Sequence, residues 1–349
     1  MKFIALGLCL PVLLGLGLTS LPGCASAGSA ARPARSTGLG RQVLPLPPDA
    51  CMSFRAGAAE VLQRDTRAVV RQLPPAPGDF GRPIASSVDL SSLMAAVVHE
   101  RGLAVVNLTS SETEPQWLPL AWPVPPTSVY VADAYAATLA GTEVRLWDLT
   151  NATELWRQDL GAWSREKKLG APVCAVPDRR DPKRLTVVFS SRERTDLQVL
   201  DFSRGSLELA ASASNLFENT GRSWYLVERC AYDGERLFLS GTHEETKLSA
   251  TGQWVPSPAP FLMKVDLASR EHEILFHEDS HTRDQEVDEL AAAAGLVATL
   301  RRDGLLRVFR GHAKAYEGQV PRGSALAWLT EDDLAVYGAG SLDVVHVAD

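Results

Sequence analysis

Residues 141–160, GTEVRLWDLTNATELWRQDL, decide the fold that this sequence predicts. The stretch opens with a glycine turn, continues as a β-branched and aromatic strand over residues 144–149, turns over residues 150–153 and then enters a second strand. Short strands that are bounded by Gly, Asn or Thr are typical of antiparallel sheets. The stretch therefore predicts one strand–turn–strand unit.

The acidic strand end V-R-L-W-D, at Asp148, recurs along the chain. The aligned copies L-A-V-V-N, L-Q-V-L-D, L-M-K-V-D, L-R-V-F-R and V-H-V-A-D end at Asn107, Asp201, Asp266, Arg310 and Asp349. The six ends follow one another at intervals of 41, 53, 65, 44 and 39 residues. These intervals approach the length of one four-stranded propeller blade with loop insertions. The repeats predict an all-β propeller of about six blades, with a seventh if residues 51–90 build most of another.

Two further expectations follow from this alignment. Residues 241–260, GTHEETKLSATGQWVPSPAP, are rich in turn residues and lack strand alternation, which predicts a long loop inserted into the fourth repeat. The last repeat ends without an outer strand of its own, and an open strand edge invites aggregation. Residues 66–73, TRAVVRQL, have a suitable length and apolar content, so we expect them to complete the final blade.

One repeat carries a family resemblance. Gly141, Val144, Asp148, Leu155 and Trp156 resemble the repeat of PQQ-type, quinoprotein-like propellers, and V-R-L-W-D is similar to the strand end of a WD repeat. The resemblance implies a propeller fold. A PQQ enzyme would also need a quinone-stacking Trp and Ca²⁺-binding acids inside the ring, whereas the eight Trp residues lie mostly at strand ends, where packing between blades is expected.

The start of the chain has the features of a targeting segment. Lys2 precedes an apolar stretch over residues 3–18, which is short for a membrane span of about 20 residues, so we expect residues 1–23 to be removed. The following L-P-G-C, residues 21–24, resembles the bacterial lipobox, which implies that Cys24 becomes the lipidated first residue. Ala25 after the cysteine implies sorting to the outer membrane. The alternative is an ordinary secretory signal followed by an incidental cysteine.

Residues 24–50 are predicted to form a flexible tether, and residues 51–349 a single propeller domain. The tether is rich in Ala, Ser, Gly and Pro and shows no apolar period. A chain of this length reaches roughly 25–30 Å, which would let the domain stand clear of a membrane surface. The formal net charge of −7 argues against a nucleic-acid partner, because such a partner requires a basic surface.

Three cysteines remain after Cys24, and an oxidising compartment permits one pair among them. Cys174 and Cys230 each precede the middle strand of adjacent repeats, so a disulfide between them is possible. Buried free thiols, including Cys51, are the interpretation that we favour.

Residues 271–289 contain three histidines among eight acidic residues. Imidazole and carboxylate groups suit a divalent transition metal, and His277 with His281 and a nearby acid could provide such a site. A solvated loop between blades explains the same residues without a ligand, and it is the favoured interpretation. No nucleophile elbow, phosphate-binding loop or Ca²⁺ loop is present in the sequence, and we expect no cofactor.

These features predict a lipid-anchored envelope propeller that binds other proteins. The combination resembles the propeller lipoprotein of the outer-membrane barrel-assembly machinery in lipid anchor, tether and fold class, but the resemblance carries over no partner. Trp254, on the predicted loop of residues 241–260, is the candidate contact residue, because Trp is enriched where interfaces are most sensitive to truncation. Its alternative is to fold back onto a blade. The alternative function is a hydrolase or lactonase, with or without a metal, that has its site in the propeller channel.

Overall fold

The computed structural model describes residues 42–46, 49–110, 112–204, 207–213, 216–217, 220, 222–278, 285–338 and 341–347. These residues form seven antiparallel sheets. The first two sheets contain β1 (Gln42–Leu46), β2 (Ala50–Arg55), β3 (Ala58–Gln63), β4 (Val69–Gln72), β5 (Pro83–Asp89), β6 (Met94–His99), β7 (Gly102–Asn107) and β8 (Gln116–Pro119). The next two contain β9 (Ser128–Ala132), β10 (Tyr135–Ala140), β11 (Glu143–Asp148), β12 (Thr153–Asp159), β13 (Ala171–Pro177), β14 (Arg184–Ser190), β15 (Thr195–Asp201) and β16 (Glu208–Ala213).

The remaining strands build the last three sheets. They are β17 (Ser223–Tyr232), β18 (Arg236–Leu248), β19 (Trp254–Asp266), β20 (His272–His277), β21 (Val287–Ala293), β22 (Leu296–Arg301), β23 (Leu305–Arg310), β24 (Ala313–Gln319), β25 (Ala325–Trp328), β26 (Asp333–Gly338) and β27 (Ser341–His346). A short helix, α1 (Gly161–Glu166), connects the third sheet to the fourth. Over the part of the chain that the structure describes, no helix is long and apolar enough to cross a membrane.

The seven sheets are arranged as a closed ring. Each sheet places its strands side by side in chain order. The first strand of every sheet contacts the first strand of the next, and β25 of the last sheet contacts β1 of the first. The predicted all-β propeller is confirmed. It has seven blades, so the favoured number of six is wrong and the alternative, a seventh blade built mostly by residues 51–90, is confirmed.

The additional blade is the first one, β1–β4. Its third strand ends at Gln63, which was not among the aligned strand ends. The propeller also begins earlier than expected, because β1 occupies residues 42–46, which were predicted to belong to the tether. In the last blade the third strand ends at His346, and the predicted strand end Asp349 lies outside the described residues.

The acidic strand ends have a local physical role. Asp148 Oδ1 accepts hydrogen bonds from the backbone N–H groups of Thr150 and Asn151, at 2.9 and 3.1 Å. Asp201 and Asp266 make the same kind of contact after the third strands of their own blades. A side chain that satisfies the backbone in this way stabilises a tight turn. The repeat motif is therefore the cap of the turn that leads into the outer strand.

The expected closure of the ring by residues 66–73 is wrong. In the structure β4 is the outer strand of the first blade, where Arg71 pairs with Val61 of β3. Only residues 64–68 separate β3 from β4, so this local pairing has a much smaller loop-closure cost than pairing with the end of the chain. Within the described ranges the last blade has three strands.

Packing of apolar faces joins the first blade to the last. Val43 and Cys51 of the first blade form one buried cluster with Leu329, Tyr337 and Leu342 of the last. Burial of side chains of this size stabilises the fold by roughly 1.5–3 kcal/mol each. An ion pair between Arg67 and Asp343, at 2.8 Å, bridges the same two blades at the surface.

A histidine is buried between the first and second blades. His99 is fully buried, its Nδ1–H donates to the carbonyl of Gly81 at 3.4 Å, and its ring lies edge-on to those of Phe54, Phe80 and Trp117. Burial disfavours the charged imidazolium and lowers the pKa of His99 to about 4.

This burial predicts a pH-dependent loss of stability. In the unfolded chain His99 takes up a proton at a pKa of about 6.5, whereas in the folded protein it remains neutral to about pH 4. As the pH falls through this interval, His99 therefore lowers the free energy of unfolding by up to about 3 kcal/mol. We expect His99→Gln to remove this contribution. Urea denaturation of the wild type and of His99→Gln at pH 7 and pH 4.5 measures the contribution of His99. The comparison isolates it, because the other titrating groups contribute equally to the two proteins. Parallel changes with pH in the two proteins would contradict the prediction.

Candidate docking hairpin

The fifth blade carries a hairpin that extends beyond its neighbouring strands. Strands β18 and β19 are both 13 residues long and pair along their whole length, from Arg236↔Asp266 to Leu248↔Trp254. The flanking strands cover less of them, because the pairing of β17 ends at Ser223↔Glu245 and that of β20 at His277↔Phe261. The expected loop at residues 241–260 is therefore wrong. These residues form a projecting β-hairpin in the fifth blade.

Strand β19 forms although its sequence lacks the alternation of apolar and polar residues. The positions of three prolines explain how. Pro256, Pro258 and Pro260 alternate along β19, so their backbone nitrogens point to one edge. The N–H of Glu278, which follows β20, donates to the carbonyl of Pro260 at 3.2 Å, so this edge faces away from β18. Proline is tolerated where no ladder hydrogen bond is required. The ladder to β18 is intact, while the projecting outer edge lacks two N–H donors.

The tip of the hairpin exposes apolar side chains. Leu248 and Trp254 form a cross-strand pair and are 59% and 53% exposed. The guanidinium of Arg222 lies 4.4 Å from the centre of the Trp254 ring. Trp254 thus does not fold back into the packing between blades, which was the alternative interpretation. An exposed apolar pair on a rigid projection has the character of a contact surface for another molecule.

A polar cluster holds the base of the hairpin. His243 of β18 lies 2.8 Å from the hydroxyl of Ser223 through Nε2 and 2.6 Å from Nε2 of His277 through Nδ1. Its ring stacks on Tyr225, with centroids 4.1 Å apart. Burial, and then the neighbouring His277, lower the pKa of His243, so it stays neutral near pH 7. A neutral His243 with its proton on Nδ1 can accept from Ser223 and donate to His277, which ties β18 to β17 and β20.

The structure describes only one of the two histidines of the predicted metal site. His277 contacts His243, and His281 lies outside the described residues. Over those residues no group of three or more His, Cys, Asp or Glu side chains could hold a metal ion. Cys24 also lies outside the part of the chain that the structure covers.

The cysteines of the fourth and fifth blades lie together. Cys174 on β13 and Cys230 on β17 are joined by a disulfide, with their Cα atoms 6.4 Å apart. The hydroxyl of Tyr130 donates to the carbonyl of Cys230 at 2.8 Å, which adds a contact from the third blade. Cys51 is a buried free thiol, and burial raises its pKa to about 11.

Sequence reasoning missed several residues of the hairpin. Arg222, His243 and Leu248 were not singled out, because each gains its contact across strands rather than along the chain. Recognition of a continuous hairpin centred on residues 249–253 would have paired Leu248 with Trp254. The turn residues and prolines obscured that signal.

Comparisons with known proteins bear on the fold. No protein-family model and no curated protein matches the chain. Among solved structures, the β-propeller domain of Cps50 (Swd1) from Myceliophteria thermophila is similar over 88% of this chain and 95% of its own, with 14% identity and a TM-score of 0.58. The WD40 β-propeller domain of Doa1 is similar over 86% of this chain and 90% of its own, with 11% identity and a TM-score of 0.55. The fold is a WD40-like β-propeller.

A third similar structure is a complex of KlAtg21 with the coiled coil of AgAtg16. It covers 88% of this chain and 94% of its own, with 12% identity and a TM-score of 0.51. Identities this low show the fold alone. The resemblance of one repeat to PQQ-type propellers stays a prediction from sequence.

The prolines on the outer edge of β19 predict that their replacement causes self-association. The double variant Pro256→Thr, Pro258→Thr restores two N–H donors on the projecting outer edge, and an unprotected strand edge pairs with another chain. We expect concentration-dependent self-association, measured by sedimentation velocity over a dilution series. Pro125→Thr, in an exposed loop between the second and third blades, is the matched control. If the double variant sediments like the wild type and the control at every concentration, the prolines do not protect this edge.

Proposed function

We propose that this protein is a lipid-anchored scaffold of the bacterial envelope that binds another protein through the β18–β19 hairpin. The observation that carries the proposal is the exposure of Trp254 and Leu248 at the tip of a projection whose base is held by the Ser223–His243–His277 contacts. Binding residues concentrate on projections that a rigid scaffold positions. Trp in such a position contributes strongly to protein interfaces.

The fold is compatible with this proposal. One of the similar solved structures is a propeller in complex with a coiled coil, and that binding belongs to that protein. Here it supports only the general idea that a ring of this kind can present a surface to a protein partner. No observation on the described residues favours the hydrolase or lactonase alternative.

The envelope location rests on the L-P-G-C motif at residues 21–24 and on the disulfide. A lipid on Cys24 would place the propeller on the outer membrane, and residues 24–41 would then be the tether that joins the lipid to β1. A flexible chain of this length reaches about 21–25 Å. The disulfide between Cys174 and Cys230 supports an oxidising compartment, because cytosolic thiols are kept reduced.

The first experiment tests the lipid. We expect Cys24→Ser to move the protein from the membrane to the soluble fraction and to slow removal of the signal segment, because serine offers no thiol for acylation. Cell fractionation with immunodetection measures both effects, and Ser29→Ala, which leaves Cys24 intact, is the control. A wild-type protein that is already soluble would rule out the lipid anchor.

The second experiment tests the hairpin. We expect Trp254→Ala to remove or strongly reduce the partner bands that chemical cross-linking detects in intact cells, since truncation at a central Trp typically costs about 2 kcal/mol or more of binding free energy. Leu209→Ala, on the outer strand of the fourth blade and similarly exposed at 51%, is the matched control. Retention of every cross-linked partner by a folded Trp254→Ala variant would place the docking surface elsewhere.

A further inference from the structure

The guanidinium of Arg222 is placed to receive an anion. Its Cζ atom lies over the Trp254 ring, 4.4 Å from the ring centre, and among the described residues no carboxylate pairs with it. Stacking on an aromatic face uses the π surface of the guanidinium and leaves its edge N–H donors available. Several other arginines form ion pairs. Arg301 and Arg307 of the sixth blade, for example, both bind Glu278 of the fifth blade.

The strand register places Arg222 beside the apolar tip. The N–H of Thr246 donates to the carbonyl of Arg222 at 2.8 Å, which makes these two residues opposite neighbours. Thr246 pairs with Pro256, and Leu248 pairs with Trp254. Side chains of opposite residues lie on the same face of an antiparallel sheet. Arg222, Thr246, Leu248, Trp254 and Pro256 therefore share one surface, which we call the Trp254 face.

Charge is distributed unevenly along this face. Glu244 pairs with Trp224 on the same face, farther from the tip and closer to the body of the blade. An acidic ligand group is repelled at the Glu244 end and attracted at the Arg222 end. The protein as a whole carries a formal net charge of −7, so an exposed cation with no carboxylate partner among the described residues is a locally favourable place for an anionic group.

We propose that the Trp254 face binds a segment of a partner protein in which a carboxylate side chain neighbours an apolar one. The carboxylate takes the edge of Arg222 in a charge-assisted hydrogen bond, and the apolar side chain packs on Trp254 and Leu248. The prolines remove N–H donors from the outer edge of β19, so side chains rather than strand addition provide recognition. This inference rests on the proposed function and specifies the chemistry of its partner.

An anionic lipid surface is a different class of ligand that also attracts arginine and tryptophan. The hairpin disfavours it, because Glu244 lies on the same face as Arg222 and would be brought to the same negatively charged surface. A protein segment can direct one carboxylate to Arg222 and avoid Glu244.

A phage-displayed library of random peptides tests the proposal with the purified protein. We expect the enriched peptides to contain Asp or Glu next to Leu, Phe or Trp. We expect Arg222→Glu and Trp254→Ala each to weaken binding of these peptides about tenfold or more, and raised salt to weaken binding to the wild type. Arg204→Glu, an exposed arginine of the fourth blade, makes the same charge change away from the hairpin and should leave binding unchanged.

The outcomes separate this inference from the proposed function. Peptides that need Trp254 but tolerate Arg222→Glu would overturn the carboxylate preference and leave the docking hairpin standing. Peptides that tolerate both substitutions would overturn the hairpin as a binding surface altogether. Arg222-dependent binding to vesicles with phosphatidylglycerol, without peptide enrichment, would assign the face to a lipid surface and overturn the partner class. Equal melting temperatures of the variants verify that they are folded.

Discussion

The contact between β1 and β25 is the constraint on which the rest of the structure depends. Central strands such as β6 and β22 bury every residue, on both faces, and no isolated sheet can achieve that. In a closed ring, two neighbouring blades cover both faces of every sheet. All seven sheets are covered in this way only if the last blade contacts the first. Val43, Cys51, Tyr337 and Leu342 provide that final contact through side-chain packing. Strand exchange between the chain ends is not seen in the described residues.

Closure of this kind has consequences for the blade edges. In five of the six four-stranded blades a register shift lies between the third and outer strands, as at Leu146/Trp147 and Val308/Phe309. A bulge twists an outer strand and makes its edge a poor template for pairing with another chain. The projecting part of β19 is protected differently, by Pro256 and Pro258. Both devices make the edges that carry them poor templates for pairing with another chain.

The hairpin is exposed and yet well positioned because its lower half belongs to the ring. Phe261 and Met263 of β19 are buried in the cluster between the fourth and fifth blades, and the same strand continues outward to Trp254. Between these two parts of the strand pair, the contacts of His243 with Ser223 and His277 join β18 to β17 and β20. The burial of one half of the strand pair thus limits the entropy that the other half must lose when it binds a partner, which is the general benefit of preorganisation.

Local chemistry determined what the sequence alone could predict. The acidic strand ends cap turns through contacts two or three residues away, so the all-β repeat was visible from Asp148, Asp201 and Asp266 without any tertiary information. The L-P-G-C motif is likewise a short local signal, and it predicts an anchor at a position that the structure does not describe.

Tertiary structure decided what depends on distant residues. The third strand of the first blade ends at Gln63, outside the aligned repeats, so the sequence offered a seventh blade only as an alternative. The pairing of β1–β4 into a sheet and its packing against the last blade decide for seven. Residues 241–260 contain the turn and proline signals of a loop, but the segment from Trp254 onward pairs with β18 and forms a strand. The strand can form because its prolines lie on the edge where no N–H donor is needed. The contact of Arg222 with Trp254 arises across three strands. Sequence spacing carries no record of such contacts, since register and face are set by the folded sheet.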